Sequence, residues 1–154
     1  MSFPIFEQRT EVQQQDAFLN SCYHLDCYME LDRFVGFIAY WEFENYIYVE
    51  HFAIHPAERG RGLGGIILKE LIASGDKRVL LEIDPVVDEV SSARLRFYKS
   101  LGFEENPFYH IHPAYREGFL SHNLIVLTTC GQITDTDYHQ FSEDLATIVM
   151  KKAL

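Results

Sequence analysis

Glu50-His-Phe-Ala-Ile-His-Pro-Ala-Glu-Arg-Gly-Arg-Gly-Leu-Gly-Gly-Ile-Ile-Leu-Lys-Glu70 decides the fold of this chain. The aromatic and β-branched run Tyr46 to Ile54 predicts a strand, and Pro56 closes it because proline cannot donate to a sheet ladder. Leu63, Ile66, Ile67 and Leu71 recur at helical spacing, which predicts a helix from about Gly62 to Ser74-Gly75. Val79 to Asp84 then reads as a short apolar strand. Strand, glycine turn, helix and strand make a βαβ crossover. Its helix N-terminus offers unpaired N–H groups and the positive end of a dipole. Arg59 and Arg61 add two cations there, so an anionic, phosphate-bearing ligand is expected at this turn.

The turn matches more than one pattern. Gly60-Arg-Gly62-Leu-Gly64-Gly65 satisfies G-x-G-x-x-G, and Glu82 or Asp84 follows at about the distance of the dinucleotide fingerprint. In a dinucleotide-binding unit, however, the glycines follow the strand almost at once, whereas His55 to Glu58 intervene here. A Walker loop is excluded, because no G-K-[ST] follows. Arg59-x-x-Gly62-x-Gly64 after a strand ending in Ile-His-Pro fits better, and it resembles the pyrophosphate-binding segment of the GNAT superfamily of N-acetyltransferases. A second segment, Arg96-Phe-Tyr98-Lys-Ser-Leu-Gly-Phe103, is similar to that family's Y-x-x-x-G-F helix end. The resemblance runs from about Phe34 to Phe103.

The resemblance implies an acetyl-CoA-dependent N-acetyltransferase with a primary-amine acceptor and direct transfer. By that resemblance Phe52, Ala53 and Ile54 flank the pantetheine through their backbone. Arg59, Gly60, Arg61, Gly62, Leu63 and Gly64 hold the pyrophosphate. Tyr98 stands where the family has its general acid, four residues before Gly102. A phenol with an ordinary pKa near 10 stays protonated beside a thiolate of ordinary pKa near 8.5, so it can supply the leaving group's proton. The family often has Asn and Ala seven and four residues before this tyrosine; Ser91 and Arg94 stand there instead. Ser91 is the candidate hydrogen-bond partner of the pantetheine. Glu50 matches an acidic strand position of several family members. Alternation places Tyr46, Tyr48, Glu50, Phe52 and Ile54 on one face with His51 opposite, so Glu50 is either a base with a raised pKa or a rim carboxylate in a salt bridge. The aromatic stretch Phe108 to Tyr115 is the candidate acceptor wall, where Tyr109, His110 and Tyr115 could hold an amine by cation–π contact or serve as core.

Composition narrows the partners. The chain has 154 residues, which suits a single domain, 1–154, with a real core. Its net charge of −10 argues against nucleic acid or an anionic membrane surface, and it accords with a cationic substrate or simply a solvated acidic surface. Cys22, Cys27 and Cys130 are few and odd in number, which reads as reduced thiols in a cytoplasmic protein. Seven histidines invite a metal reading, but no H-E-x-x-H or Cys/His zinc spacing occurs, so no metal is expected.

Along the chain, a helix is expected in Met1 to Asn20, and strands at Tyr23 to Glu30 and Phe34 to Phe43 feed the crossover. A helix over Ser91 to Leu101, a buried strand over Asn123 to Thr129 and a final amphipathic helix over Thr136 to Lys151 follow, with Thr134 or Asp135 as cap. The expected fold is α/β: a GNAT-like mixed, mostly antiparallel twisted sheet flanked by helices, without the family's usual N-terminal strand and helix. Either the sheet starts one strand later, or a second subunit covers the exposed surface as a homodimer. Two rival functions stand beside the transferase: a non-catalytic acyl-CoA-binding module, and an NAD(P)-dependent oxidoreductase.

Overall fold

The computed structural model describes residues 20–114 and 122–150. The helix expected in Met1 to Asn20, but for Asn20 itself, and the acceptor-wall residue Tyr115 lie outside them. Strand β1 (Tyr23–Glu30) turns through Leu31 and Asp32, both at positive φ, into β2 (Arg33–Glu42), and β2 turns into β3 (Tyr46–Ile54). A 3₁₀ turn (Pro56–Glu58) leads to α1 (Leu63–Ala73) and β4 (Arg78–Ile83). Helix α2 (Glu89–Ser100), short strands β5 (Glu104–Glu105) and β6 (His110–His112), β7 (His122–Thr128) and α3 (Asp135–Asp144) complete the order, and α3 runs on as a π-turn, Leu145–Val149. The sheet order is β1-β2-β3-β4-β7-β5, with β6 on β7. Among the described strands only β3 and β4 pair in parallel, as a helical crossover requires.

The alternation of strand residues builds two cores, one on each face. Ile47 and Val49 of β3 join Val79, Leu81 and Ile83 of β4 beneath Ile67, Leu68 and Leu71 of α1. Leu68 is fully buried, which stabilises the fold by about 2 kcal/mol relative to an exposed leucine. Tyr46 and Tyr48 of β3, Trp41 of β2 and Leu80 of β4 pack on the other face against Phe141, Leu145 and Val149. Tyr46 donates to buried Asp144 at 2.7 Å and so ties α3 to the sheet.

The helix boundaries follow from their caps. Asp88 and Ser91 form a capping box, so α2 begins two residues before the expected Ser91. Thr134 caps α3 by accepting from the N–H of Asp137 at 3.1 Å. The expected single helix over Thr136 to Lys151 is instead an α-helix that widens into a π-turn at Leu145.

Candidate active site

The glycine turn lies between β3 and α1. The His55 ring nitrogen accepts from the Ala57 N–H at 3.2 Å, and the Arg59 Nε–H donates to the Ile54 carbonyl at 3.3 Å. Gly62 is left-handed (φ 73°, ψ 10°) and ends the turn where α1 starts. A side chain is strained in that conformation. At Gly64 the reason is close approach: a Cβ would lie 3.3 Å from the Phe52 ring. The first N–H groups of α1, from Leu63 onward, therefore face out of the turn with the dipole's positive end behind them.

The two arginines of the turn differ. Arg61 is held by Glu58 at 2.5 Å and Glu30 at 2.9 Å, and Arg33 reaches the same Glu58 at 2.9 Å. Glu58 is 5% exposed, so this is a clamp between the β1–β2 turn and the glycine turn. Arg59 is exposed beside the turn.

Strand β3 does not alternate evenly. Ala39 of β2 pairs His51 while Tyr40 pairs Val49, so Glu50 is an extra residue, a β-bulge. The expectation that Tyr46, Tyr48, Glu50, Phe52 and Ile54 share one face is therefore corrected. Tyr46 and Tyr48 face α3, whereas Phe52 and Ile54 pack on the α1 side. His51, opposite Ala39, shares the α3 side with Trp41 rather than pointing away from it. At the same level the parallel ladder ends: its last pair is Val49 with Leu81. Beyond it β3 and β4 part. Residues Phe52, Ala53 and Ile54 form the β3 side of that opening, and the 3₁₀ turn Pro56–Glu58 leads from them to the glycines.

Tyr98, near the end of α2, packs edge-on against Phe103 with ring centroids 5.8 Å apart and belongs to the α1-side core. Burial pushes its phenol pKa up, with the charge of Arg94 acting the other way. Ser91 is buried, and its hydroxyl is occupied inside the capping box: it donates to Asp88 at 2.7 Å and accepts from the N–H of Val87 at 2.9 Å.

On the α3 face a polar cluster lies inside the apolar core. Trp41 Nε1–H donates to Glu50 at 2.8 Å. Glu82 of β4 accepts from the Tyr48 hydroxyl and, at 2.5 Å, from His110 Nε2. His112 Nε2 stands 3.8 Å from the same carboxylate, while its Nδ1 donates to the Pro113 carbonyl at 2.6 Å. His110 Nδ1 is 2.7 Å from the Tyr138 hydroxyl, and the Tyr138 ring stacks on Phe108 at 4.3 Å. Glu82 and His110 have side chains 5% and 1% exposed. Burial pushes the Glu82 carboxyl up, but the nearby His112, the His110 bond and the Tyr48 hydroxyl outweigh it and hold the pKa below the ordinary value. Tyr109, by contrast, is 80% exposed. Of this cluster the sequence reading had singled out His110 and not Glu82, Tyr48 or Tyr138. A carboxylate inside the buried run Val79-Leu-Leu-Glu-Ile83 was the available signal. Among the described residues no group of three His, Cys, Asp or Glu side chains could hold a metal ion, and no helix is long and apolar enough to cross a membrane.

Residues 21–105 match the family model of the acetyltransferase (GNAT) domain. The Bacillus subtilis (strain 168) protein YjbC, named as an acetyltransferase, is 30% identical over 104 residues. Those residues are 66% of this chain and 52% of YjbC, so the chain spans about half the length of that relative. A solved structure from Bacteroides thetaiotaomicron, described as a GNAT-family acetyltransferase, superposes with a TM-score of 0.89 at 29% identity, covering 99% of this chain and 87% of its own. A GNAT acetyltransferase from Elizabethkingia anophelis, solved with acetyl-CoA bound, shares the fold at a TM-score of 0.56 and 15% identity, over 83% of this chain and 92% of its own. With more than half of its length matched by the domain model, the chain belongs to the GNAT family of acetyltransferases.

Proposed function

We propose that the protein moves an acetyl group from acetyl-CoA to a primary amine by direct transfer. The observation that carries this reading is the opening of the β3–β4 ladder at the Glu50 bulge, beside a left-handed glycine turn. The opening leaves backbone of Phe52 to Ile54 for an extended pantetheine. The α1 N-terminus and Arg59 supply charge complementary to a pyrophosphate. The two faces of the opening differ in chemistry: Tyr98 lies toward α1, while Glu50, Glu82 and His110 lie toward α3. That division suits a reaction that adds a proton on one side and removes one on the other.

The acceptor is an ammonium in water, and it must lose a proton before its nitrogen attacks the thioester carbon. The C–S bond then breaks, and Tyr98 supplies the proton to the departing sulfur. Glu50 attracts and orients the ammonium. Its carboxyl already accepts the Trp41 N–H at 2.8 Å, which fixes its position at the bulge and suits it to anchoring the ammonium. Ser91 is proposed to position the α2 N-terminus, since its hydroxyl already serves the capping box. The titratable cluster on the α3 face, on the strand beside the opening, favours catalysis over a module that only binds acyl-CoA. The 3₁₀ turn between β3 and the glycines disfavours the dinucleotide reading.

A thermal-shift comparison tests the donor. Acetyl-CoA at a hundred times its Kd should stabilise the fold by about 2.7 kcal/mol, NAD should not, and Gly62→Val should abolish the shift. Protection by NAD alone would remove the acetyltransferase reading. Transfer is then read as free thiol released with a polyamine, a diamino acid or a lysine peptide as acceptor.

A further inference from the structure

The reaction just proposed releases one net proton: an ammonium and a thioester become an amide, a thiol and H⁺. Neither Tyr98 nor Glu50 disposes of it. Tyr98 gives a proton, and Glu50 is assigned to anchoring through its bond from the Trp41 N–H. A buried polar chain, Glu82–His110–Tyr138, has bonds of 2.5 and 2.7 Å. It crosses from the strand at the opening to helix α3. Three strands and one helix converge on it: Tyr48 from β3, Glu82 from β4, His110 and His112 from β6, and Tyr138 from α3. Burying a charged carboxylate and two imidazoles is unfavourable before their bonds are counted. Apolar side chains would fill the same space more cheaply.

From this geometry we propose that Tyr138 and His110 accept the acceptor's proton, with Glu82 as the positioning carboxylate. The proposal rests on the acetyltransferase reading. An ionised carboxylate only accepts hydrogen bonds, so the proton between Glu82 and His110 resides on Nε2. In the neutral ring Nδ1 then carries a lone pair, and it receives the Tyr138 O–H. The Tyr138 oxygen keeps lone pairs of its own, and the side chain is only partly buried. When an acceptor ammonium bonds to that oxygen, one N–H bond breaks and its electron pair stays on nitrogen. The proton joins the Tyr138 oxygen as the phenolic proton passes to Nδ1. The imidazolium that results lies against the Glu82 carboxylate, so the net charge of the pair goes from −1 to zero. After transfer, the hops reverse and water takes the proton. A carboxylate orienting a histidine that withdraws a hydroxyl proton is the logic of the hydrolytic triad, used here for deprotonation without covalent attack. His112, on the other side of Glu82, helps keep the carboxylate ionised.

The experiment uses the full chain with acetyl-CoA and the best amine of the three-acceptor panel. It measures kcat/KM for the amine against pH in wild type, Tyr138→Phe and His110→Asn. Phenylalanine keeps the ring that stacks on Phe108. Tyr138→Phe should lower kcat/KM by about 10²-fold below the amine's own pKa, converging on wild type as the pH approaches that pKa. His110→Asn should lose at least as much. Acetyl-CoA Kd, measured by calorimetry, should stay within twofold in both. A uniform loss at every pH, or an unchanged profile in Tyr138→Phe, overturns the proposal. Nitrogen NMR of labelled histidines reads the chain without any activity: His110 should be the Nε2–H tautomer, with its Nδ1 resonance moved by Tyr138→Phe. An Nδ1–H tautomer would overturn the proposal even in an active enzyme. If wild type acetylates none of the amines, the acetyltransferase reading fails on its own, and the tautomer still decides whether the chain can accept a proton.

Discussion

At the scale of the residue, the site separates side chains by what they can do with a proton. Tyr98 is buried, and its raised pKa keeps the phenol protonated through and beyond the pH range in which an amine is acetylated. Tyr98→Phe should therefore lower kcat by about 10²-fold with acetyl-CoA Kd unchanged, and no descending limb below pH 10 should trace to this residue. The check is kcat against pH in both proteins; an unchanged kcat would leave Tyr98 as a core ring against Phe103. Its position was legible because Tyr98 and Gly102 hold a fixed spacing at the end of a helix. Ser91 was legible as a position and not as a role. Its hydroxyl is shared among partners at Val87 and Asp88, a local competition that no spacing reveals. Glu82 was hidden differently, because one carboxylate in an apolar run carries no sign of which strands converge on it.

At the scale of the element, register made the difference. The residues Tyr46 to Ile54 alternate in type as a regular strand would, so nothing within them discloses the bulge at Glu50. The bulge belongs to the pair of strands: Trp41 opposite Tyr48 on one side of it and Ile38 opposite Phe52 on the other leave one residue over. It re-aims the rest of β3, and the opening beside β4 follows. The glycine turn was legible, since Gly62 takes a conformation that few other residues tolerate. The arginines beside it were legible only as charge. Arg61 acts in the clamp with Glu58, Glu30 and Arg33, which fixes the turn against the β1–β2 hairpin. Glu58 is its buried member, so Glu58→Gln should leave two guanidinium groups poorly matched and the turn less fixed. The expected outcome is an acetyl-CoA Kd raised about tenfold, or about 1.4 kcal/mol, with the amine KM within twofold. Calorimetric titration beside steady-state kinetics reads both, and equal losses on the two substrates would mean general loosening of the fold.

At the scale of the whole molecule, the sheet carries two cores whose chemistry differs. One face is aliphatic under α1 and α2, and the other is aromatic under α3 with Glu82 and its histidines inside it. The order of strands through the crossover could be read from the sequence because a parallel pair needs a helix between its strands. The insertion of β7 between β4 and β5 could not, since it depends on which edge the returning chain meets. The buried carboxylate makes a prediction about the fold as a whole. The pKa of Glu82 is lower in the folded protein than its ordinary 4.5, so the folded state holds fewer protons there than the unfolded chain. Its stabilisation is complete above about pH 4.5 and is lost as the pH falls through the lower, folded value. His110, His112 and Tyr48 face the same carboxylate, so its protonation weakens the attachment of β6 to the sheet. Glu82→Gln keeps the shape and removes the charge. At pH 7 it should lose about 2 kcal/mol, the range of hydrogen bonds to a charged group, or about 4–8 °C in Tm for a domain of this size. Below about pH 4.5 the wild type loses the same charge by protonation, so the two melting curves should draw together. Calorimetric Tm from pH 3.5 to 8 in both proteins measures the gap, and a gap that stays constant down to the lowest pH would mean that Glu82 stabilises the fold by packing rather than by charge.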